Sequence, residues 1–240
     1  MDVALIAPKS MLGFTQLGEV HFIIPVTADE KFYANEEKFK IIDNGVYETG
    51  RPLGFDELLS LARKVKANEV IVPDVLFDYE KTYTNTQMFF DNYIHGEFGK
   101  MIVPQAMSPE GWIDAYFKMT KAFSEADCIG VPKWLDGKFH CRSAIMHYMR
   151  RHGIMADKPH HLLGVDSLAD LITMPFEGIR SCDTSKPFTY AYTGKELTLW
   201  EDEDIKRVDF NAPVCENIPL LMSNINVLRE AAHWKDYFEV

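Results

Sequence analysis

Runs of contiguous apolar residues recur along the chain at 3–7, 21–26, 39–43, 69–74, 100–105, 127–131, 161–165 and 179–183. They are apolar throughout rather than alternating, the pattern of parallel strands covered on both faces. Helical periodicity fills the gaps from the third run onward. Phe55, Leu58, Leu59, Ala62 and Val65 form one apolar stripe, and a less regular helix is predicted over 80–95. Ser108 followed by Pro109 marks a helix start, with Trp112, Tyr116, Met119 and Phe123 as its buried face. Ile145, Tyr148, Met149 and His152 form a further stripe that Gly153 stops. Ser167 with Asp170 three residues on has the form of a capping box, and Pro175 ends that helix.

Strand and helix in alternation predict an α/β fold with a parallel sheet. Eight strands suggest a TIM-like (β/α)8 barrel, a single domain over 1–240. The first two connections are too short for full crossover helices, so the barrel is expected to be irregular at its start. Residues 184–216 read as an irregular segment carrying the acidic run Glu201-Asp202-Glu203-Asp204. Ile218, Leu221, Ile225, Leu228 and Ala232 then give an amphipathic helix at 217–238 that closes the domain.

Composition narrows the function class. With 47% hydrophobic and 25% charged residues in 240, the chain is ordinary globular protein rather than disordered. No apolar run approaches the ~20 residues of a membrane helix, and Met1-Asp2-Val3 lacks the basic start of a signal peptide; a cytoplasmic protein is expected. Lys and Arg total 25 against 36 Asp and Glu, a net charge of −11, so nucleic acid would have to be held by a local basic patch rather than by overall charge. Cys128, Cys141, Cys182 and Cys215 form no CxxC pair and match no zinc spacing. Cys128 and Cys182 fall in apolar segments and read as buried, reduced thiols. No metal and no cofactor is expected.

In parallel α/β folds the reactive groups lie just beyond the carboxyl ends of the strands. Those ends here are Asp43-Asn44-Gly45, Pro73-Asp74, Pro104-Gln105, Gly130-Val131-Pro132-Lys133 and Asp183-Thr184-Ser185. Three carboxylates, amides and a lysine would share one mouth. Like charges and burial push such carboxylates apart in acidity, so one can be an anionic nucleophile while another carries a proton. That division suits displacement at a sugar anomeric carbon through a covalent intermediate.

Ile42-Asp43-Asn44-Gly45, Val72-Pro73-Asp74-Val75, Val103-Pro104-Gln105, Ile129-Gly130-Val131-Pro132-Lys133, His161-Leu162-Leu163-Gly164 and Ile179-Arg180-Ser181-Cys182-Asp183-Thr184-Ser185 stand in the order of the signature segments of the tRNA-guanine transglycosylase family. Over roughly residues 1–190 the chain most resembles its zinc-less branch, the 7-deazaguanine DNA transglycosylases of phages and bacterial DNA-modification clusters. The resemblance implies an irregular barrel that exchanges guanine in nucleic acid for a 7-deazaguanine base. It implies that Asp183 attacks C1′, that Asp43 handles the base proton, that Asp74 and Gln105 read the purine edge, and that Gly130 lets the base approach its backbone. Asn44 and Lys133 fall beside them as further substrate contacts.

The family's usual Asp-Ser-Gly-Gly-Phe is here Asp43-Asn44-Gly45-Val46-Tyr47, and the cysteine-rich zinc subdomain of the tRNA enzymes has no counterpart in the sequence. DNA, or a free nucleoside, is thereby favoured over tRNA as the acceptor. The candidate phosphate-binding stretch is 133–161, where Lys138, Arg142, Arg150 and Arg151 join Lys133 and Lys158. Reaching C1′ in a duplex would require the nucleotide to be flipped out. Two other readings compete: a non-catalytic barrel that binds a base or nucleic acid, and an aldolase with Lys133 as Schiff base.

Overall fold

Each apolar run supplies a strand in the computed structural model: β1 (Asp2–Leu5), β2 (His21–Ile23), β3 (Lys40–Ile42), β4 (Glu69–Ile71), β5 (Gly99–Ile102), β6 (Cys128–Val131), β7 (His160–Leu162) and β8 (Ile179–Thr184). The structure describes residues 1–93, 96–137, 141–175, 177–199, 205 and 207–234. The strand order is β1-β8-β7-β6-β5-β4-β3-β2, and every pairing is parallel. A parallel bridge between Ala4 and Val20 and a 2.9 Å bond from Glu19 N to Val3 O bring the two ends of the sheet together. The result is a TIM-like (β/α)8 barrel.

Residues alternate along each strand between two apolar environments, which is why the runs show no polar phase. One set, including Ala4, Phe22, Ile24, Ile41, Ile71, Met101, Val103 and Cys128, fills the barrel interior. The other, including Val3, Ile42, Val70, Ile102 and Ile129, packs outward against helices. The helices are α1 (Glu30–Ala34), α2 (Val46–Thr49), α3 (Phe55–Val65), α4 (Tyr79–Asn92), α5 (Pro109–Ala122), α6 (Trp134–Gly137), α7 (Arg142–Arg151), α8 (Leu168–Thr173), α9 (Lys186–Tyr192) and α10 (Ile218–His233).

The irregular start is as expected. A 3-10 segment, Lys9–Leu17, joins β1 to β2, and the β2–β3 connection holds only a 3-10 turn and the five-residue α1. The stripes of α3 and α5 are buried as read, except that Phe55 at the start of α3 is only partly so. Ser108 accepts from Gly111 N at 3.1 Å to start α5. The helix read over 80–95 is α4, begun by the Asp78 cap; residues 94 and 95 lie outside the described residues.

Three expectations are corrected. First, α7 is rotated: it buries Arg142, Ile145, Met146 and Met149, while Tyr148 and His152 face solvent with ring centroids 4.4 Å apart. Second, Ser167 caps α8 through Asp170 N, but the Asp170 side chain does not return the bond as a capping box would. It pairs with Arg142 instead. Third, 184–216 is not wholly irregular, since β8 reaches Thr184 and α9 follows, almost entirely buried. Residues 201–204 lie outside the described residues, and α10, capped by Asn217, is the closing helix.

The Arg142–Asp170 pair explains the rotation of α7. Both side chains are fully buried. The guanidinium also donates to Leu163 O at 2.6 Å, and more weakly to Val131 O at 3.4 Å and Gly164 O at 3.5 Å. One arginine thus ties the carboxyl ends of β6 and β7 to α8. Removing one partner of a buried ion pair strands the other charge and costs about 3–5 kcal/mol. Arg142→Ala is expected to lose stability on that scale in urea unfolding, and Arg142→Met with Asp170→Leu to recover most of it. A single-variant loss under about 1 kcal/mol would show that the pair does not anchor the fold.

Candidate active site

The carboxyl ends of the strands surround a cavity of about 150 Å³. Asp43, Asp74, Gln105, Lys133 and Asp183 all line it, as do Phe22, Tyr47, Phe77, Trp134, Glu48, Asp166 and Arg207. Its walls are therefore largely aromatic, and Asp43, Asp74, Gln105, Lys133 and Asp183 reach it from the ends of different strands.

Asp43 follows β3 and is nearly wholly buried. The chain then turns through Gly45, whose φ of +80° favours glycine. That turn sends the Asn44 amide sideways: its Nδ2 donates to Asp74 Oδ1 at 2.6 Å and to Val72 O at 3.2 Å, and its Oδ1 accepts from Val46 N at 3.0 Å. Gln105 Nε2 donates to Asp74 Oδ2 at 2.6 Å, while Gln105 Oε1 accepts from Trp134 Nε1 at 3.0 Å and Phe77 N at 3.2 Å. Asp74 is thus fixed in one plane by two amides.

Asp183, two residues above Ser181 on β8, receives a different set of donors. His161 Nε2 and Gly164 N each lie 3.0 Å from its Oδ1. Gly164 has φ +58°, and a Cβ there would come within 2.9 Å of the Lys133 side chain, so the N–H that meets Asp183 comes from a position that only glycine fills without strain.

These surroundings separate the carboxyls. Burial first, then the charges of Glu48, Asp74 and Asp183, push Asp43 well above the usual carboxylate range; the Gly45 N–H opposes this only in part. Burial also raises Asp74, to about 6, against the amides of Asn44 and Gln105, which favour its anion. The cavity can therefore hold a proton on one carboxyl while another stays an acceptor.

The cations at the mouth are engaged. Lys133 Nζ is 2.8 Å from Asp166 Oδ1, and Lys186 Nζ is 3.3 Å from the same oxygen. Arg207 meets Glu48 at 3.0 Å. The half-exposed Tyr47 ring lies between Lys133 and Arg207, 5.4 and 5.3 Å from its centre.

Several assignments need correcting. Asn44 is fully buried and does not line the cavity; it orients Asp74 rather than touching a substrate. Gly130 lies inside the barrel, where a Cβ would come within 2.8 Å of Val103 and 3.1 Å of Leu163, so its need for glycine is one of packing. Arg142 is a buried structural residue, not a phosphate contact. Arg150 and Arg151 are exposed but end α7, next to the amino ends of the strands. Arg150 pairs there with Glu177, just before β8. Both arginines are at the opposite end of the barrel from the cavity, and Lys138 lies outside the described residues. Of the basic stretch, Lys133 lines the cavity, whereas Arg142, Arg150 and Arg151 do not.

His161, Glu48, Asp166, Arg207 and Tyr47 are site residues that sequence reasoning missed. His161 is brought to the site by the strand register: Cα pairing of His161 with Ser181 puts Asp183 one pleat further along the same face. Among the described residues, no three His, Cys, Asp or Glu side chains converge as a metal site, and no helix is long and apolar enough to cross a membrane. The chain matches no protein-family model and no characterised protein sequence, so the function is read from this site itself.

The raised pKa of Asp74 has a thermodynamic consequence. Its folded value of about 6 exceeds the ordinary 3.8, so folding retains a proton that the unfolded chain releases first. Its contribution is complete below pH 4 and lost as pH rises to 6, a change of about 3 kcal/mol. Chemical denaturation from pH 4 to 7 is expected to show a steeper fall in wild type than in Asp74→Asn. Equal slopes would refute the shift.

Proposed function

We propose that the protein is a base-exchange glycosyltransferase, replacing guanine in nucleic acid, DNA in preference to tRNA, with a 7-deazaguanine base. The observation that carries this reading is the contrast between two carboxyls on one cavity. Asp43 is buried among like charges that push it well above the usual carboxylate range, whereas Asp183 is held by two N–H donors on one oxygen. A proton-bearing acid beside a clamped carboxylate is what retaining chemistry at an anomeric carbon requires.

In this scheme a carboxylate oxygen of Asp183 attacks C1′. The bond from C1′ to the guanine nitrogen breaks, its electron pair leaves on the base, and Asp43 supplies the proton that neutralises it. The incoming 7-deazaguanine then gives its ring N–H proton to the Asp43 carboxylate and attacks C1′, releasing Asp183. The proton on Asp43 is restored and nothing is consumed but one base for another.

The cavity walls suit a flat heterocycle: Phe22, Tyr47, Phe77 and Trp134 offer π faces. Each oxygen of Asp74 keeps a lone pair for the N–H groups of a guanine edge, and Gln105 keeps one N–H. Tyr47 between Lys133 and Arg207 offers stacking and phosphate contact at the mouth. The aldolase alternative is weakened by the 2.8 Å Lys133–Asp166 ion pair, because a Schiff-base lysine must be neutral to attack.

The test is incorporation of labelled guanine and 7-deazaguanine into duplex DNA, single-stranded DNA and tRNA. Label is expected in DNA, with incorporation in Asp183→Asn below about 10⁻³ of wild type while free-base binding persists. Asp43→Ala should retain base binding but slow turnover. Base binding without label in any polymer would turn the assignment to a non-catalytic base-binding barrel. Undiminished exchange in Asp183→Asn would remove the nucleophile.

A further inference from the structure

The interior of a (β/α)8 barrel is commonly filled with branched apolar side chains. Here a line of polar groups crosses it from floor to mouth. At the floor, Arg180 makes a two-pronged ion pair with the buried Glu69, at 2.9 and 2.7 Å. These residues stand on β8 and β4, four strands apart in the ring. Arg180 Nε also donates to Ser181 Oγ at 3.3 Å. Ser181 Oγ lies 2.8 Å from His161 Nδ1, and His161 Nε2 lies 3.0 Å from Asp183 Oδ1. The imidazole is fully buried and stacked on Phe22, with the ring planes 3° apart and the centroids at 5.3 Å.

The donor and acceptor inventory gives this line a direction. A guanidinium only donates, so Ser181 Oγ accepts from Arg180 and its own proton is free to point at His161 Nδ1. Asp183 Oδ1 already accepts the Gly164 N–H, so the imidazole meets it with Nε2–H rather than with a bare nitrogen. Both donors to Asp183, His161 Nε2–H and Gly164 N–H, fall on Oδ1. Among the described residues Oδ2 accepts no hydrogen bond.

We propose that His161 is the positioning residue of the nucleophile: as the neutral Nε2–H tautomer, fixed by Ser181 and Arg180, it clamps Asp183 Oδ1 together with Gly164 and leaves Oδ2 as the attacking oxygen. This rests on the base-exchange reading for its chemical meaning. Oδ2 forms the ester bond to C1′ as the bond from C1′ to the departing base breaks, and His161 neither gains nor loses a proton in the step. The phenyl ring of Phe22 holds the imidazole in plane, so the clamp aims the carboxylate before substrate arrives.

Two readouts test it. In histidine-¹⁵N-labelled protein at neutral pH, two-bond correlation spectra are expected to show His161 with Nδ1 bare and Nε2 protonated. That preference should weaken in Ser181→Ala and persist in Ser181→Thr. In base exchange, His161→Phe should lower kcat roughly 100-fold with KM for the base within about threefold. His161→Gln, whose amide can still donate to Oδ1, should recover at least part of kcat and remains informative should the Phe variant fail to fold. An imidazolium, or a proton on Nδ1, would overturn the clamp whatever the activity, as would full kcat in a folded His161→Phe. A wild-type protein with the expected tautomer but no exchange would instead fault the reaction assigned to the site.

Discussion

Several carboxyls at one low-dielectric mouth cannot all keep their charge, and the arrangement of donors around them decides which do. Everything else in the site follows from that distribution. The Asn44-Gly45 turn delivers the Asn44 amide to Asp74, where Gln105 adds a second. Asp43 is left with burial, three like charges and one backbone N–H. Asp183 receives an imidazole and a backbone N–H on a single oxygen. The same residue type thereby stands in three different environments, set by its neighbours alone.

The donors need support of their own. Gly164 can present its N–H because its left-handed backbone conformation is held from the adjoining carbonyls: Arg142 reaches the oxygens of Leu163 and Gly164, and is itself fixed by Asp170 on α8. A buried arginine at the start of α7 therefore stabilises the fold and orders a donor to Asp183 at once. A buried ion pair is weak in net stability against a well-packed apolar substitute. Its value here lies in fixing the geometry of the β6 and β7 ends.

Much of the fold was legible because parallel strands packed on both faces leave long apolar runs, and the short early connections signalled the irregular start. The strand ends named Asp43, Asp74, Gln105 and Asp183 because topology alone carries them to the mouth. What could not be read depended on pairings across the fold. Arg142 looks like a surface cation until Asp170, twenty-eight positions later, is known to face it. Gly130 looks like a site glycine until Val103 and Leu163 are seen against it. Helix α9 was hidden by its own composition, since Phe188, Thr189 and Tyr190 are poor helix formers held by burial. His161 needed the β7–β8 register.

The charges at the mouth bear on how an acceptor would be held. Lys133 and Lys186 share Asp166, and Arg207 is matched by Glu48, in a protein whose net charge is −11. A phosphate arriving there exchanges one anion partner for another instead of meeting a bare cation, so little attraction extends beyond the Debye length to draw a polymer in. Glu48 adds a cost of its own, because its Oε2 is buried with no hydrogen-bond partner among the described residues and gains nothing from them if Arg207 turns outward. On the proposed reading, then, the favourable terms come from the cavity: aromatic faces, the Asp74–Gln105 edge and the clamped Asp183. An acceptor is gripped by the base that enters the barrel, and its backbone contacts serve to set register.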